Sequence, residues 1–384
     1  MAERRRFSLV DLPDELLLSI SDFCDFKTRC EVSRTNSALT LVSMRSITLG
    51  QEASELFLTH IVVKALLQWR VLFPRLNIHL QVNHRVFSEA EIVILNSVGS
   101  VKIRHTNPRR TPMDQLLLIQ TLRAVEIDAD TLELADLSIL ATLTHLTWLD
   151  LRKSGVAVVD LSSLAGLTNL TYFNLRAGLV SSMSVYGSLT NLTRLDLSES
   201  FVSDVSAITS LKKLTVLDLH KTRVSDVSAF AGLKNLTDLN LGETKVSDLS
   251  PLAGITKLMN LTLFLTPVRD ITPLAGLKKL TYLDLGCTEV SDVSDLKTLS
   301  LLTYLHLSST NISDVSELKA LTKLTHLDLS ATQVSDVSEL KTLTKLTDLH
   351  MSFSQVSDVS ELKTLTQLTS LNLSHTQVSD VSEL

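Results

Sequence analysis

The sequence predicts an α/β solenoid of short parallel strands returning over 3₁₀-type or helical segments, with a small helical module at its head. Three observations predict it. From Leu192 the frame L-T-x-L-x-L-x-x-T-x-V-S-D-V-S returns at Leu214, Leu236, Leu258, Leu280, Leu302, Leu324, Leu346 and Leu368, a strict period of 22 residues. Self-similarity at such a period is the mark of stacked repeats, each of which buries its apolar side only against its neighbours. Within a frame, Leu214, Leu217 and Leu219 point into the coil while Val216 and Asp218 point out, which is the alternation of a strand. The head of the chain lacks this frame and carries helix signals instead.

Residues 1–46 form that head. Leu12-Pro13-Asp14-Glu15-Leu16 opens a helix, with Pro at an early position and two acids in the first turn, where the helix dipole favours negative charge. Leu16, Ile20 and Phe23 fall on one face. Two more short helices are expected from Phe26 to Ser33 and from Asn36 to Val42. Three small helices in about 40 residues bury little core alone, so docking on a partner or on the repeats is expected. From Phe7 to Leu39 the order Leu12-Pro13, Asp14-Glu15, Leu16, Ile20, Phe23, Asp25, Phe26 and Val32-Ser33-Arg34 resembles an F-box. The resemblance implies that Leu12, Pro13, Leu16, Ile20, Phe23, Val32 and Ser33 bind the Skp-type adaptor of a cullin-RING (SCF-type) ubiquitin ligase. At the end of the motif, Asn36-Ser37-Ala38-Leu39 stands where many F-boxes have an aromatic residue.

Residues 47–145 carry the strand signal at looser spacing. Val98-x-x-Val101-x-Ile103, Leu122-x-x-Val125-x-Ile127, Leu146-x-x-Leu149-x-Leu151 and Leu170-x-x-Phe173-x-Leu175 stand 24 residues apart, and Phe73-x-x-Leu76-x-Ile78 lies 25 before the first. Helix signals sit between them. Ser88-Glu89-Ala90-Glu91 precedes Ile92 to Leu95, and Thr111-Pro112-Met113-Asp114 leads into an expected helix from Gln115 to Gln120.

Residues 146–384 hold the regular turns. Their pattern resembles the leucine-rich repeats, specifically the 22-residue class of internalin-like proteins, which implies a right-handed horseshoe with a parallel sheet on its concave face. The frame departs from that family at one column. Thr222, Thr244, Thr266, Thr288, Thr310, Thr332, Ser354 and Thr376 stand where an Asn ladder usually joins neighbouring turns. A hydroxyl can donate and accept within its own turn, so the fold is expected to survive. The last repeats are nearly identical and the chain ends at Val381-Ser382-Glu383-Leu384, partway through a frame; fraying or self-association of that turn is expected.

Two columns are polar. Asp204, Asp226, Asp248, Asp270, Asp292, Asp314, Asp336, Asp358 and Asp380 recur once per turn. Each is expected to cap backbone N–H groups, because one carboxylate per turn is a poor cage for a cation. The column Asp150, Asn174, Asp196, Asp218, Asn240, Thr262, Asp284, His306, Asp328, His350 and Asn372 faces the concave side, either as a lure for a basic ligand or as a solvated face. Variable concave positions include Trp148, Tyr172, Arg194, Phe264, Tyr282, Tyr304, His326 and Phe353. Aromatic and Arg side chains are the usual anchors of interfaces, so two target-binding patches are expected: Trp148, Tyr172 and Arg194, and Tyr282, Tyr304 and His306. Drift among duplicated repeats would also vary these positions.

Composition narrows the function. Residues 190–384 hold 17 Lys or Arg against 23 Asp or Glu, so the whole net charge of −6 lies there, the wrong sign for nucleic acid. No apolar run suits a membrane span. Cys24, Cys30 and Cys287 are too scattered for a disulfide framework or metal site, and His220, His306, His326, His350 and His375 sit on separate turns. No nucleophile elbow or Gly-rich phosphate loop occurs. The basic start of the chain runs into Asp11, Pro13, Asp14 and Glu15, which break any signal-peptide core. The sequons at Asn169, Asn191, Asn235, Asn260, Asn311 and Asn372 follow from repetition of the frame. The expectation is a non-enzymatic adaptor without cofactor or metal, in cytoplasm or nucleus. A free-standing scaffold and a surface or secreted internalin-like recognition protein are the alternatives.

Overall fold

A computed structural model of the 384-residue chain describes residues 46–49, 77–83, 87–97, 100–105, 113–127, 134–152, 161–178 and 184–382. The expected helices of residues 1–46, and with them Leu12, Pro13, Leu16, Ile20, Phe23, Val32 and Ser33, lie outside the described residues. The chain divides into two units, Met1–Leu149 and Asp150–Leu384.

In the first unit, β1 (Ser46–Leu49), β2 (Asn77–Asn83), β3 (Ser100–His105) and β4 (Leu122–Ile127) pair in parallel in chain order. β3 and β4 coincide with looser repeats read in the sequence; β2 contains only Ile78 of the repeat read at Phe73-x-x-Leu76-x-Ile78 and sets Leu80 and Val82 opposite Val101 and Ile103, and β1 was not read as a repeat. Helix α1 (Glu89–Ser97) starts on a reciprocal cap: the Ser88 N–H donates to Glu91 Oε2 at 2.8 Å, and the Glu91 N–H donates to Ser88 Oγ at 3.4 Å. The expected helix at Gln115 to Gln120 is instead a 3₁₀ segment, Met113–Leu118. Its apolar residues explain the difference. Leu116 and Ile119 are buried while Leu117 and Leu118 are exposed, and an i, i+3 pair lies on one edge of a three-residue turn. Helix α2 (Leu134–Thr142), which no capping signal announces, buries Leu137 and Leu140.

The strand β5 (Trp148–Asp150) ends the first unit and begins the second. In the second unit, ten three-residue strands pair in parallel and in chain order. They are β6 (Tyr172–Asn174), β7 (Arg194–Asp196), β8 (Val216–Asp218), β9 (Asp238–Asn240), β10 (Asn260–Thr262), β11 (Tyr282–Asp284), β12 (Tyr304–His306), β13 (His326–Asp328), β14 (Asp348–His350) and β15 (Ser370–Asn372). Every regular turn returns through a 3₁₀ segment such as Ser228–Gly232 or Ser316–Ala320. One turn buries Leu214, Leu217, Leu219, Val224, Val227, Phe230 and Leu233. A fully buried aliphatic or Phe side chain contributes about 1.5–3 kcal/mol, so this inward row is the main source of stability.

Two hydroxyl columns divide the work of an Asn ladder. The buried one, from Ser200 and Thr222 to Ser354, donates to the carbonyl three residues earlier in its own turn at 2.6–2.7 Å. The joining of turns falls to the Thr of each L-T pair. Thr193, Thr215, Thr237, Thr303, Thr325 and Thr347 donate to the carbonyl 22 residues earlier at 2.9–3.1 Å. Met259 stands in that column without a hydroxyl.

After each of β6 to β15 the backbone turns left-handed at a residue that is not glycine. Ala177, Glu199, Lys221, Glu243, Leu265, Cys287, Ser309, Ala331, Phe353 and His375 have φ between 53° and 60°. From Ala177 to Phe353 their N–H groups continue the ladder, as from Lys221 to the Gly242 carbonyl at 2.8 Å and from Ser309 to the Ser330 carbonyl at 2.8 Å. A conformation that costs an L-residue about 1–2 kcal/mol is thus held by a bond to the next turn.

Candidate interaction surface

Alternation sets the surface. With Leu217, Leu239, Leu261, Leu283, Leu305, Leu327, Leu349 and Leu371 turned inward, the flanking strand residues turn outward. Along β8 to β15 these pairs are Val216 and Asp218, Asp238 and Asn240, Asn260 and Thr262, Tyr282 and Asp284, Tyr304 and His306, His326 and Asp328, Asp348 and His350, and Ser370 and Asn372. They include Asp218, Asp238, Asp284, Asp328 and Asp348, and no Lys or Arg.

The expected patch of Tyr282, Tyr304 and His306 is assembled at its centre. Tyr282 and Tyr304 stack with ring centroids 4.4 Å apart and planes 10° apart, and His326 continues the row at 5.7 Å from Tyr304. Burial, with the Asp284 carboxylate second, pushes the Tyr282 hydroxyl up to about 12, and burial likewise raises Tyr304. His306 sits beside Tyr304 on the same face. Its Nδ1 lies 2.9 Å from Asp284 Oδ1 and its Nε2 3.6 Å from Asp328 Oδ2, while Phe264 stacks over it at 6.4 Å. The bond to Asp284 holds the imidazolium and raises its pKa against the opposing effect of burial. Gly286 makes the room: a Cβ there would stand 2.7 Å from His306 Cε1. The His326 Nε2 in turn lies 3.1 Å from Asp348 Oδ2.

The residues of the second expected patch belong to different units. Trp148 belongs to the first, where Lys102 Nζ lies 3.8 Å from its ring centroid. Tyr172 and Arg194 belong to the second, with the guanidinium 6.0 Å from the ring centroid and the Tyr172 hydroxyl 3.2 Å from Asn174 Nδ2. Burial raises the Tyr172 pKa. Phe353 is not a strand-face residue: it occupies the left-handed exit of its turn, 59% exposed and stacked on His375 at 4.3 Å.

The column from Asp150 to Asn372 has a structural use that the sequence reading missed. Its carboxylate or amide oxygens accept the N–H two residues on, as from Arg176 to Asn174 at 2.9 Å, His220 to Asp218 at 2.9 Å, Gly286 to Asp284 at 2.9 Å and Ser330 to Asp328 at 2.8 Å. An Asp or Asn two residues before a turned amide is the signature of an Asx turn, and that was the signal available.

The other Asp column does what capping demands. Asp204, Asp226, Asp248, Asp270, Asp292, Asp314, Asp336, Asp358 and Asp380 each accept the N–H two residues on, at 2.8–2.9 Å. Those bonds hold the Asp292, Asp314, Asp336 and Asp358 carboxyls below the usual range. Asp336, Asp358 and Glu361 line a shallow open groove. Among the described residues no group of three His, Cys, Asp or Glu is placed to hold a metal ion, and no helix is long and apolar enough to cross a membrane. Sequon asparagines are also used: Asn191 and Asn235 donate to the Thr168 and Lys212 carbonyls at 2.8 Å.

A family model described as Leucine Rich repeats (2 copies) matches residues 190–232, 212–254 and 300–342. No curated protein matches the chain by sequence. Among solved structures, an internalin (InlF) of Listeria monocytogenes is 27% identical with a TM-score of 0.71, the match covering 84% of this chain and 92% of that one. A leucine-rich-repeat protein of Leptospira interrogans is 22% identical, with a TM-score of 0.66 over 79% and 86% of the two chains. The plant peptide hormone receptor RGFR1, solved in complex with RGF2, shares the fold at 18% identity and a TM-score of 0.61, over 79% of this chain and 52% of its own. The frame, the one-strand turns and these matches agree: residues 190–254 and 300–342 carry leucine-rich repeats, and the chain is similar in fold to internalin-like leucine-rich-repeat structures.

Proposed function

We propose that this chain is a protein-interaction scaffold whose outward strand face, centred on Tyr282, Tyr304 and His306, holds a protein partner, and that it carries out no chemistry of its own. The observation that carries this reading is the row Tyr282–Tyr304–His326 on a face whose inward side is uniformly leucine. Interchangeable repeats need only the inward residues to stack, so aromatic side chains gathered outward suit a binding surface. Trp148, Tyr172 and Arg194 are proposed as further contacts.

Within that reading we assign the chain to substrate selection in an SCF-type ubiquitin ligase, in cytoplasm or nucleus. The order from Leu12-Pro13 through Leu16, Ile20 and Phe23 to Val32-Ser33 supports a Skp-type adaptor as partner at the head. A second reading, a recognition protein of internalin type, is favoured by the match to InlF over 84% of the chain. Pull-down of a purified Skp-type adaptor by the full chain separates them. Binding lost in a Leu12→Ala/Pro13→Ala variant supports the ligase reading. A folded chain that retains no adaptor leaves a scaffold or the internalin-type reading.

A further inference from the structure

Charge is sorted between the sides of the second unit. The turns that feed the strands carry lysines such as Lys213 and Lys257, bonded at 2.7 Å to Asn191 and Asn235. On the 3₁₀ side, Lys297, Lys319 and Lys341 pair at 3.0–3.1 Å with Glu317, Glu339 and Glu361 of the next turn. The outward strand residues from Val216 to Asn372 hold five aspartates and no lysine or arginine.

The aromatic row adds to this. Because Tyr282 and Tyr304 lie face to face at 4.4 Å, with His326 against the far side of Tyr304, the stack uses ring faces internally. A ligand meets ring edges and the two phenolic oxygens. With Thr262, Asp284 and Asp328 beside them, the surface offers mostly acceptors. Its basic side chains are imidazoles, His306 with Asp284, His326 with Asp348, and His350 beside Ser370, and they carry charge only when protonated. A lysine or arginine, charged at every physiological pH, supplies the missing donors.

We infer that the outward face from β8 to β15 binds an extended polypeptide segment bearing lysine or arginine side chains. The inference rests on the scaffold reading above. Spacing fits it. Carboxylates recur every one or two strands, about 5–10 Å apart, and same-side residues of an extended peptide lie about 6.6 Å apart. The Asp328 oxygen that caps Ser330 keeps a further lone pair for such a partner, whereas Asp284, whose capping oxygen is also bonded to His306, offers its other oxygen.

The test uses the full chain and a short synthetic peptide in which lysine alternates with serine, read by fluorescence anisotropy, with glutamate for lysine as its control. Three variants are compared. Asp284→Asn/Asp328→Asn removes two charges from the face yet keeps amide-capping oxygens. Asp292→Asn/Asp314→Asn removes the same charge from the capping column. Tyr282→Phe/Tyr304→Phe keeps the stack and deletes the hydroxyls. The first and third are expected to weaken binding about tenfold, about 1.4 kcal/mol, because each removes acceptors that a charged donor would use. The capping-column variant is expected to stay within about twofold, because exposed distant charges are screened. Equal loss in both charge variants, or no lysine-peptide binding, overturns the inference. A random peptide library panned on the chain then separates it from the reading beneath. Binders that depend on Tyr282 and Tyr304 but lack lysine and arginine sink the cationic partner alone, whereas no strand-face-dependent binder sinks the scaffold as well.

Discussion

Replacing threonine by valine keeps shape and removes one hydroxyl, and the two threonine columns give that change different costs. Thr310 is buried and its hydroxyl donates to the Leu307 carbonyl at 2.7 Å, so Thr310→Val leaves a buried acceptor short of its donor. The expected loss is about 2 kcal/mol, within the 1–3 kcal/mol that an unsatisfied buried polar group costs. Thr303 donates to the Thr281 carbonyl at 2.9 Å, but that oxygen also accepts the Thr303 and Tyr304 N–H groups at 2.8 and 3.1 Å. Thr303→Val therefore leaves it satisfied and costs about 0.5 kcal/mol, the low end for a net hydrogen bond. Urea denaturation followed by circular dichroism reads the difference as a shift of midpoint at constant slope. Equal midpoints for the two variants, or a larger loss for Thr303→Val, would refute the division of labour between the columns.

Other consequences follow from single positions. Ala331→Gly, at an exposed residue with φ 55°, should raise stability by about 0.5–1 kcal/mol, because the relief of left-handed strain exceeds glycine's extra unfolded entropy; a loss in thermal unfolding would contradict it. The Asp292, Asp314, Asp336 and Asp358 carboxyls are depressed in the folded chain, so their contribution is complete above the unfolded value near 3.8 and disappears as pH falls through the lower folded values. Acid unfolding of a variant with Asn at these four positions should be less steep below about pH 4. His306 has the opposite sign: its raised pKa gives stability that is complete below the unfolded value near 6.5 and is lost as pH rises through the folded value. His306→Gln should flatten the dependence of the melting temperature across that window. Tyr186 is buried with a hydroxyl that lacks a hydrogen-bond partner, so Tyr186→Phe should be neutral or stabilising by about 1 kcal/mol, and a marked loss would reveal a bond.

The period, the inward leucines and the capping Asp column were legible because each is a residue type demanded at one spacing. The strands fell where alternation put them, from Val101 and Ile103 to Leu349. The cross-turn role of Thr303 and its equivalents was not legible. Threonine after a leucine reads as a strand former, and its acceptor is 22 residues away in sequence. Nor did anything mark the left-handed exits: Lys221, Leu265, Cys287 and Phe353 share no chemistry, and only the neighbouring turn holds them there. Phe353 was consequently assigned to the strand face. The 3₁₀ segment at Met113–Leu118 was mistaken for a helix start because Pro and Asp signals are common to both. At the site, the Tyr282–Tyr304 stack could be anticipated from two tyrosines one period apart. The pairing of His306 with Asp284 needed the register that sets those residues on adjacent strands.

The most direct measurement is zero-length carbodiimide cross-linking of the lysine–serine peptide to the full chain, with the joined carboxylates located by mass spectrometry. A cationic segment seated on the strand face should join Asp238, Asp284, Asp328 or Asp348 in preference to Asp292, Asp314 and Asp336, although the latter are the more exposed. Cross-links spread over the capping column, or confined to it, would contradict the account.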